Sequence, residues 1–449
     1  MNQKNGIGQK DDLLSLDPKY FGPFWDYIQN DEITDVDFNG TDLWITDSQN
    51  RRTKIENHGI TTDFIEAFSQ RVSNQVSKEF NRNENLLEAE TKTLRISILH
   101  ESAAVSGRSV CLRKSLPKVR MTAKSIVESS YMPRPILNLL TNCIMSKMNM
   151  VVGGEPGAGK TESAKFFTQF IPDDQRVITI EDSPEWHYHT INPTHDCVEM
   201  RVNPQFSYAK AIKTCLRQNP KWIMLSEARS VEAKYLIEAW STGVNGVTTI
   251  HTDDIRKIAS RLLNMMGTRE DADRLENDIY DFVNVVFLVR RKAMPDGTAR
   301  RYIDQMGFFY RDEHRQNKVT MLVKNGEMIS DWLPPDIAFK LSWMGIEKPF
   351  ECEVIDSLIG DVFFYTPMTT TEAVPLKPKP SILESTATVV EKAMPVIPKA
   401  EVKQPSKPKP VRPQAEVAQT SKPKPIRPQK RKPLPLGTLK FAERKGDHS

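Results

Sequence analysis

Apolar residues recur among polar ones along Ile33-Thr34-Asp35-Val36-Asp37-Phe38, alternating at its end, and return in Leu43-Trp44-Ile45, on the other side of Asn39-Gly40. Period-two patterning around Asn-Gly predicts a β-hairpin, because both residues accept the left-handed backbone of a tight turn. Phe64, Phe68, Val72 and Val76 then repeat every four residues, which predicts one amphipathic helix. Residues 94–99 and 109–113 read as two more strands. Residues 18–118 are thus expected to form a small α/β domain.

Residues 119–133 are mixed in pattern and end in Pro133-Arg134-Pro135, which reads as a hinge linker. Beyond it, short apolar runs at 148–152, 177–180, 222–225 and 247–250 are separated by helix-length stretches. That alternation predicts a parallel sheet covered by helices. Runs at 283–289, 302–310 and 319–323 predict further strands in an antiparallel extension. This second domain is expected to span 134–365.

Composition changes the picture at the ends. The chain has 449 residues, 39% of them hydrophobic, and 30 prolines. Its length calls for two or more cores, and its prolines point to a segment that does not fold. In residues 366–449, Ser406-Lys407-Pro408-Lys409-Pro410-Val411-Arg412-Pro413-Gln414 recurs as Ser421-Lys422-Pro423-Lys424-Pro425-Ile426-Arg427-Pro428-Gln429. Such a stretch buries too little apolar surface to offset chain entropy, so a disordered, Lys/Pro-rich tail is expected. Lysine and arginine there exceed acids by about ten, so the net charge of +4 conceals a mildly acidic body. Residues 1–17 read as a flexible leader, without the apolar core of a signal peptide. No apolar run reaches the ~20 residues that span a bilayer. The five cysteines are scattered and form no C-x-x-C pair, which suits a reducing cytoplasm better than a zinc ribbon or a disulfide framework. The expectation is a cytoplasmic protein, peripherally associated with the cytoplasmic membrane.

Chemistry enters at Gly154-Glu155-Pro156-Gly157-Ala158-Gly159-Lys160-Thr161, which fits G-x-x-x-x-G-K-[ST] at every fixed position. An apolar run precedes it and a helix-compatible run beginning at Glu162 follows, as a phosphate-binding loop requires. Lys160 is expected on the β- and γ-phosphates of ATP, and the Thr161 hydroxyl on Mg2+. Three further blocks follow. Glu181, Asp182 and Glu185 lie just past a predicted strand, where acids could hold Mg2+ or polarise a water; a solvated acidic turn is the plainer reading. Ser226-Glu227-Ala228-Arg229 ends another buried strand, and Glu227 is placed to hold Mg2+ through water. Residues 246–252 end a third strand at His251, which in isolation is more often structural than catalytic.

Four blocks in this order resemble the type II/type IV secretion ATPase family. Glu181-Asp182 with Glu185 resembles its aspartate box, Ser226 to Arg229 its G-E-x-R motif, and Gly243 to His251 its histidine box. Leu216-Arg217-Gln218-Asn219-Pro220 matches its L-R-x-x-P stretch. The resemblance covers roughly residues 30–310. It implies a RecA-like P-loop ATPase domain hinged to the N-terminal α/β domain, working as a homo-hexameric ring on membrane-embedded secretion or pilus platform proteins. It also places Arg95 and Arg113 of the first domain, and Arg217 and Arg229 of the second, near the phosphates. The conjugation and Flp-type pilus branch is the nearer one, since a four-cysteine module and an alanine-initiated retraction motif are absent. Three positions depart from the pattern: Ser226 replaces a glycine, Val244 a histidine and Lys221 an acid.

Two readings follow. The first is an ATP-hydrolysing ring motor; the alternative is a nucleotide-gated scaffold of the same machine with little turnover. A DNA-handling motor draws no support from the acidic body, which lacks basic–aromatic interleaving. The tail's charge suits anionic lipid head groups.

Overall fold

The computed structural model describes residues 17–267, 271–296 and 298–368. The leader expected at 1–17, apart from Asp17, and the tail from 369 onward lie outside the described residues.

β1 (Ile33–Phe38) and β2 (Leu43–Asp47) form the expected hairpin. Its turn is held by the Asn39 side-chain oxygen, which accepts from the amides of Thr41 and Asp42. β3 (Arg52–Ile55), β4 (Leu86–Glu90), β5 (Leu94–Leu99) and β6 (Ser109–Lys114) complete an antiparallel sheet in the order β3-β2-β1-β6-β5-β4. The helix Thr62–Gln75 begins where the Thr61 hydroxyl caps the Phe64 amide, and it buries Ile65, Phe68 and Val72 on one stripe. Phe21, Phe24 and Phe68 meet edge-on in this core.

The second sheet has nine strands: β7 (Met150–Gly154), β8 (Val177–Glu181), β9 (Cys197–Arg201), β10 (Trp222–Leu225), β11 (Asn245–His251), β12 (Val285–Ala293), β13 (Ala299–Arg311), β14 (Asn317–Lys324) and β15 (Glu327–Met328). Their order is β15-β14-β13-β12-β7-β11-β10-β8-β9. From β12 to β9 every neighbouring pair is parallel, and β13 to β15 add the antiparallel extension the sequence predicts. The central strands are apolar throughout because both faces are covered. Along β7, Met150 and Val152 enter one core and Val151 the other; along β10, Trp222 and Met224 oppose Ile223 and Leu225 in the same way.

The expected linker is more ordered than its pattern suggests. Within 119–133 lies the helix Ala123–Glu128, started by a reciprocal Thr122–Ser125 capping box, and its Ala123 and Ile126 are buried in the core of the nine-stranded sheet. The prolines flanking Arg134 occupy the start of helix Arg134–Met145, where a missing N–H costs nothing. Here they open a helix.

Candidate active site

β7, β8, β10 and β11 run parallel, so their carboxyl ends share one edge of the sheet, where the departing loops form a crevice. β7 ends at Gly154, and the chain turns through Glu155, Pro156, Gly157, Ala158 and Gly159 into helix Lys160–Thr168. Gly157 (φ 72°) and Gly159 (φ 98°) adopt left-handed backbone, which costs a residue with a Cβ about 1–2 kcal/mol. The loop thereby curls back, and the Lys160 ammonium donates to the Glu155 carbonyl at 3.2 Å. Lys160 is buried, and burial pushes its pKa down to about 8; Glu227 and Glu185 oppose the shift, while Arg113 and Arg229 add to it.

From Lys160 a chain of charged and polar side chains runs around the crevice. Its Nζ is 3.1 Å from His251 Nδ1, and His251 Nε2 is 2.8 Å from Glu227 Oε1. A proton on Nε2 would let the ring accept from the ammonium and donate to the carboxylate, and the Gly154 carbonyl also lies 3.3 Å from Nδ1. Glu227 Oε2 meets Arg229 Nε at 3.1 Å, and Arg229 Nη1 meets Asp182 Oδ2 at 2.8 Å. Arg95 then reaches across from β5: its Nη2 is 3.7 Å from Asp182 Oδ1, and its Nη1 is 2.8 Å from Glu185 Oε1. The Thr161 hydroxyl donates to Glu185 Oε2 at 3.1 Å and closes the circuit beside Lys160. Groups supplied by five separate stretches of chain therefore converge on the helix that the glycine loop starts.

Other candidates take different places. Glu181 is buried, and its Oε1 accepts from the amides of Glu185 and Trp186, both at 2.9 Å. Burial lifts its pKa to about 8 against those bonds, so Glu181 shapes the loop that presents Asp182 and Glu185. Glu162 pairs with Lys165 at 3.3 Å, one helical turn on. Arg113 is exposed, 3.8 Å from Asp35, though its charge is felt at Lys160. Arg217 is the correction. It is exposed before β10, at the amino edge of the sheet, beside Gln218 whose carbonyl accepts from Arg176 at the start of β8. A residue entering a parallel strand cannot reach the loops that leave its far end, so Arg217 is not brought to the crevice of its own chain.

The same topology sorts the three departures. Val244 and Lys221 precede β11 and β10 at that amino edge, remote from the charges. Ser226 borders them, buried, with its carbonyl accepting from the Thr249 hydroxyl at 2.8 Å.

Sequence reasoning missed the clasp between the sheets. Glu90 on β4 bonds the Ser183 hydroxyl and lies 2.7 Å from Arg201. The Ser115 hydroxyl donates to the Pro184 carbonyl at 2.8 Å and lies 2.9 Å from His187 Nε2. Polar residues far apart in the chain carry no local pattern that would have signalled these contacts.

Comparison with known proteins agrees with this architecture. The family described as Type II/IV secretion system protein matches residues 82–321, over half of the chain. An uncharacterized protein of Bacillus anthracis is 30% identical over 58% of this chain and 59% of its own. The type IV secretion system protein VirB11 of Brucella suis is 32% identical over 36% of this chain and 48% of its own. The chain thus spans about half the length of the curated relatives it matches. Among solved structures, the ATPase DotB of Legionella pneumophila aligns with a TM-score of 0.50 at 18% identity, over 68% of this chain and 84% of that one. DotB of Yersinia pseudotuberculosis aligns at 0.51 and 13% identity, over 80% and 90%. At such identities the likeness shows the shared RecA-like fold.

A buried lysine titrating near pH 8 gives the site a pH signature. Only the ammonium attracts an anion, so affinity for inorganic pyrophosphate should be complete below about pH 8 and fall as pH rises through it. Lys160→Arg keeps its charge throughout. The ratio of wild-type to Lys160→Arg affinity, measured by calorimetry between pH 7 and 9.5, should therefore decline; a constant ratio would show that Lys160 stays charged.

Proposed function

We propose a function for a chain that belongs to the type II/IV secretion system protein family: it hydrolyses ATP with Mg2+ and, as a ring motor, drives a membrane-embedded conjugation, type IV secretion or pilus-assembly machine. The observation that carries this reading is the circuit of charges from Lys160 to Thr161, completed by Arg95 of the other sheet. Each cation in it leans on a carboxylate or an imidazole, and a polyphosphate would compete for all of them at once.

The residues present fit both ligands. A buried ammonium inside a glycine loop suits the β- and γ-phosphates, and a hydroxyl at the first helical turn suits a hard cation. Thr161 would hold Mg2+, with Glu227 or Glu185 binding its water shell. When bound, Mg2+ would neutralise charge on the phosphate oxygens. With Arg229 drawn toward phosphate, Glu227 Oε2 would be free to accept a proton from the attacking water, while His251 keeps Oε1 oriented. Arg95, carried by the other sheet, would engage the phosphates only when the sheets close on each other, coupling nucleotide to relative movement.

The alternative, a nucleotide-gated scaffold with little turnover, rests on Ser226, which stands where the family glycine precedes the catalytic-motif glutamate. Steady-state phosphate release separates the two. Glu227→Gln should retain ATP binding and lose turnover on the order of a hundredfold, whereas a scaffold shows no turnover to lose. Lys160→Ala should abolish tight ATP binding under either reading. Arg95→Ala should lower kcat more than it lowers ATP affinity, because a group engaged on closure acts mainly in the transition state. Equal losses in both would make Arg95 an ordinary binding group.

Hexameric assembly, membrane platform partners and a peripheral location at the cytoplasmic membrane belong to the same proposal. Among the described residues no helix is long and apolar enough to cross a membrane. Residues 366–449, almost all outside the described ones, would supply lipid contact through lysine and arginine at roughly 1 kcal/mol each near an anionic leaflet. Vesicle flotation at low salt should show binding by the full chain and loss on truncation at Pro367; equal flotation of both would remove the tail from this role.

A further inference from the structure

Cations crowd one wall of the crevice that neither the motifs nor the charge circuit explains. β12 lies beside β7 with Val289 opposite Gly154, so residues 290–293 run on past the carboxyl edge of the sheet, alongside the glycine loop. β13 returns antiparallel. In this arm Arg291 stands opposite Arg301 and Lys292 opposite Arg300. Like charges paired across strands destabilise a sheet, and no ion pair of these four side chains occurs among the described residues. Arg290, by contrast, is paired with Asp304 at 2.9 Å.

Arg301 is the inward member of the arm. A methyl group placed on Gly159 would sit 3.4 Å from Arg301 Cδ and 3.7 Å from its Nε, so the guanidinium stem lies against the residue that precedes Lys160. It is half-buried, and burial lowers its pKa; Arg291 and Arg120 add to the shift, while Tyr131 and Glu162 oppose it without cancelling it. Among the described residues its hydrogen bond is to a neutral group: Nη1 donates to the Ser48 carbonyl, in the turn after β2, at 3.0 Å. Holding a desolvated cation against other cations with no carboxylate in direct contact is unfavourable, and a bound anion would offset it.

We propose that Arg301 is a further phosphate-binding residue, one that takes the polyphosphate of the bound nucleotide from the β12–β13 side of the loop. This rests on the nucleotide reading above. Arg301 meets the loop at Gly159 from the nine-stranded sheet, whereas Arg95 approaches from the antiparallel one. Through the Ser48 carbonyl it also ties loop occupancy to the β2–β3 turn, since a guanidinium drawn onto phosphate has fewer donors left for that carbonyl. The site has no local motif. Its trace in the sequence is the pair of basic runs Arg290-Arg291-Lys292 and Arg300-Arg301, facing each other only once the hairpin has formed.

The test is calorimetric titration of ADP and of inorganic pyrophosphate into the full-length protein and three variants. Arg301→Gln should weaken both ligands about tenfold, the worth of one charge-assisted hydrogen bond, and should flatten the salt dependence of binding. Arg301→Lys should recover part of the loss. Arg300→Gln, altered at an exposed neighbour on the same arm, should bind as wild type does. Unchanged affinity in Arg301→Gln, with wild type binding ADP, overturns the proposal and leaves the nucleotide site intact. Equal losses in Arg300→Gln and Arg301→Gln overturn it too, since the effect would then be the arm's overall charge. Absence of ADP binding by wild type would instead strike the underlying reading. Thermal unfolding midpoints of ligand-free variants within a degree or two of wild type show that affinity, and not folding, was altered.

Discussion

A buried ammonium is the constraint around which the rest of this molecule is arranged. Lys160 is almost wholly removed from water, and an unpartnered cation in that position would neutralise or unfold its surroundings. Its direct partners are the Glu155 carbonyl and the His251 ring, with Glu227 and Glu185 acting at longer range. Full compensation by a direct carboxylate would have satisfied the lysine and blocked an incoming anion. Partial compensation leaves it stable enough to fold and still short of negative charge.

The carboxylates of the crevice carry the complementary role. Asp182, Glu185 and Glu227 hold Arg95, Arg229 and Thr161 in a single circuit, and most of these side chains remain partly open to solvent. Such pairs contribute little to stability, so their value lies in position. Buried Glu181 secures that position by accepting two backbone amides of the loop that carries its neighbours. Through that loop the antiparallel sheet is clasped by Glu90, Arg95 and Ser115, which joins it to the carboxylates of the crevice.

Departures from the family pattern gain a different weight from where they fall. Val244 and Lys221 enter strands at the edge opposite the charges, and only Ser226 lies beside Glu227. Its small side chain is buried without displacing the strand end, whose register with β8 and β11 continues to Leu225.

What the sequence determined by itself was whatever repeats within a few residues. The glycine loop with Lys160 and Thr161 is contiguous, and the interior strands announce themselves as apolar runs because both their faces are buried. The four strands without such a signal, β3, β4, β9 and β15, are the edge strands of the two sheets. An edge strand pairs on one side and faces solvent more freely, so its side chains need no strict period. Helix Ala123–Glu128 was likewise hidden in a short mixed segment. Strand ends bearing Glu185, Glu227 and His251 were legible as a class, since parallel strands bring their carboxyl ends together. Tertiary structure alone decided that His251 bridges Lys160 and Glu227, that Glu181 turns to the backbone, that Arg217 lies at the wrong edge and that Arg301 lies against Gly159. Each of those outcomes depends on which strands are neighbours and which way they run, a property of the folded sheet that no local spacing encodes.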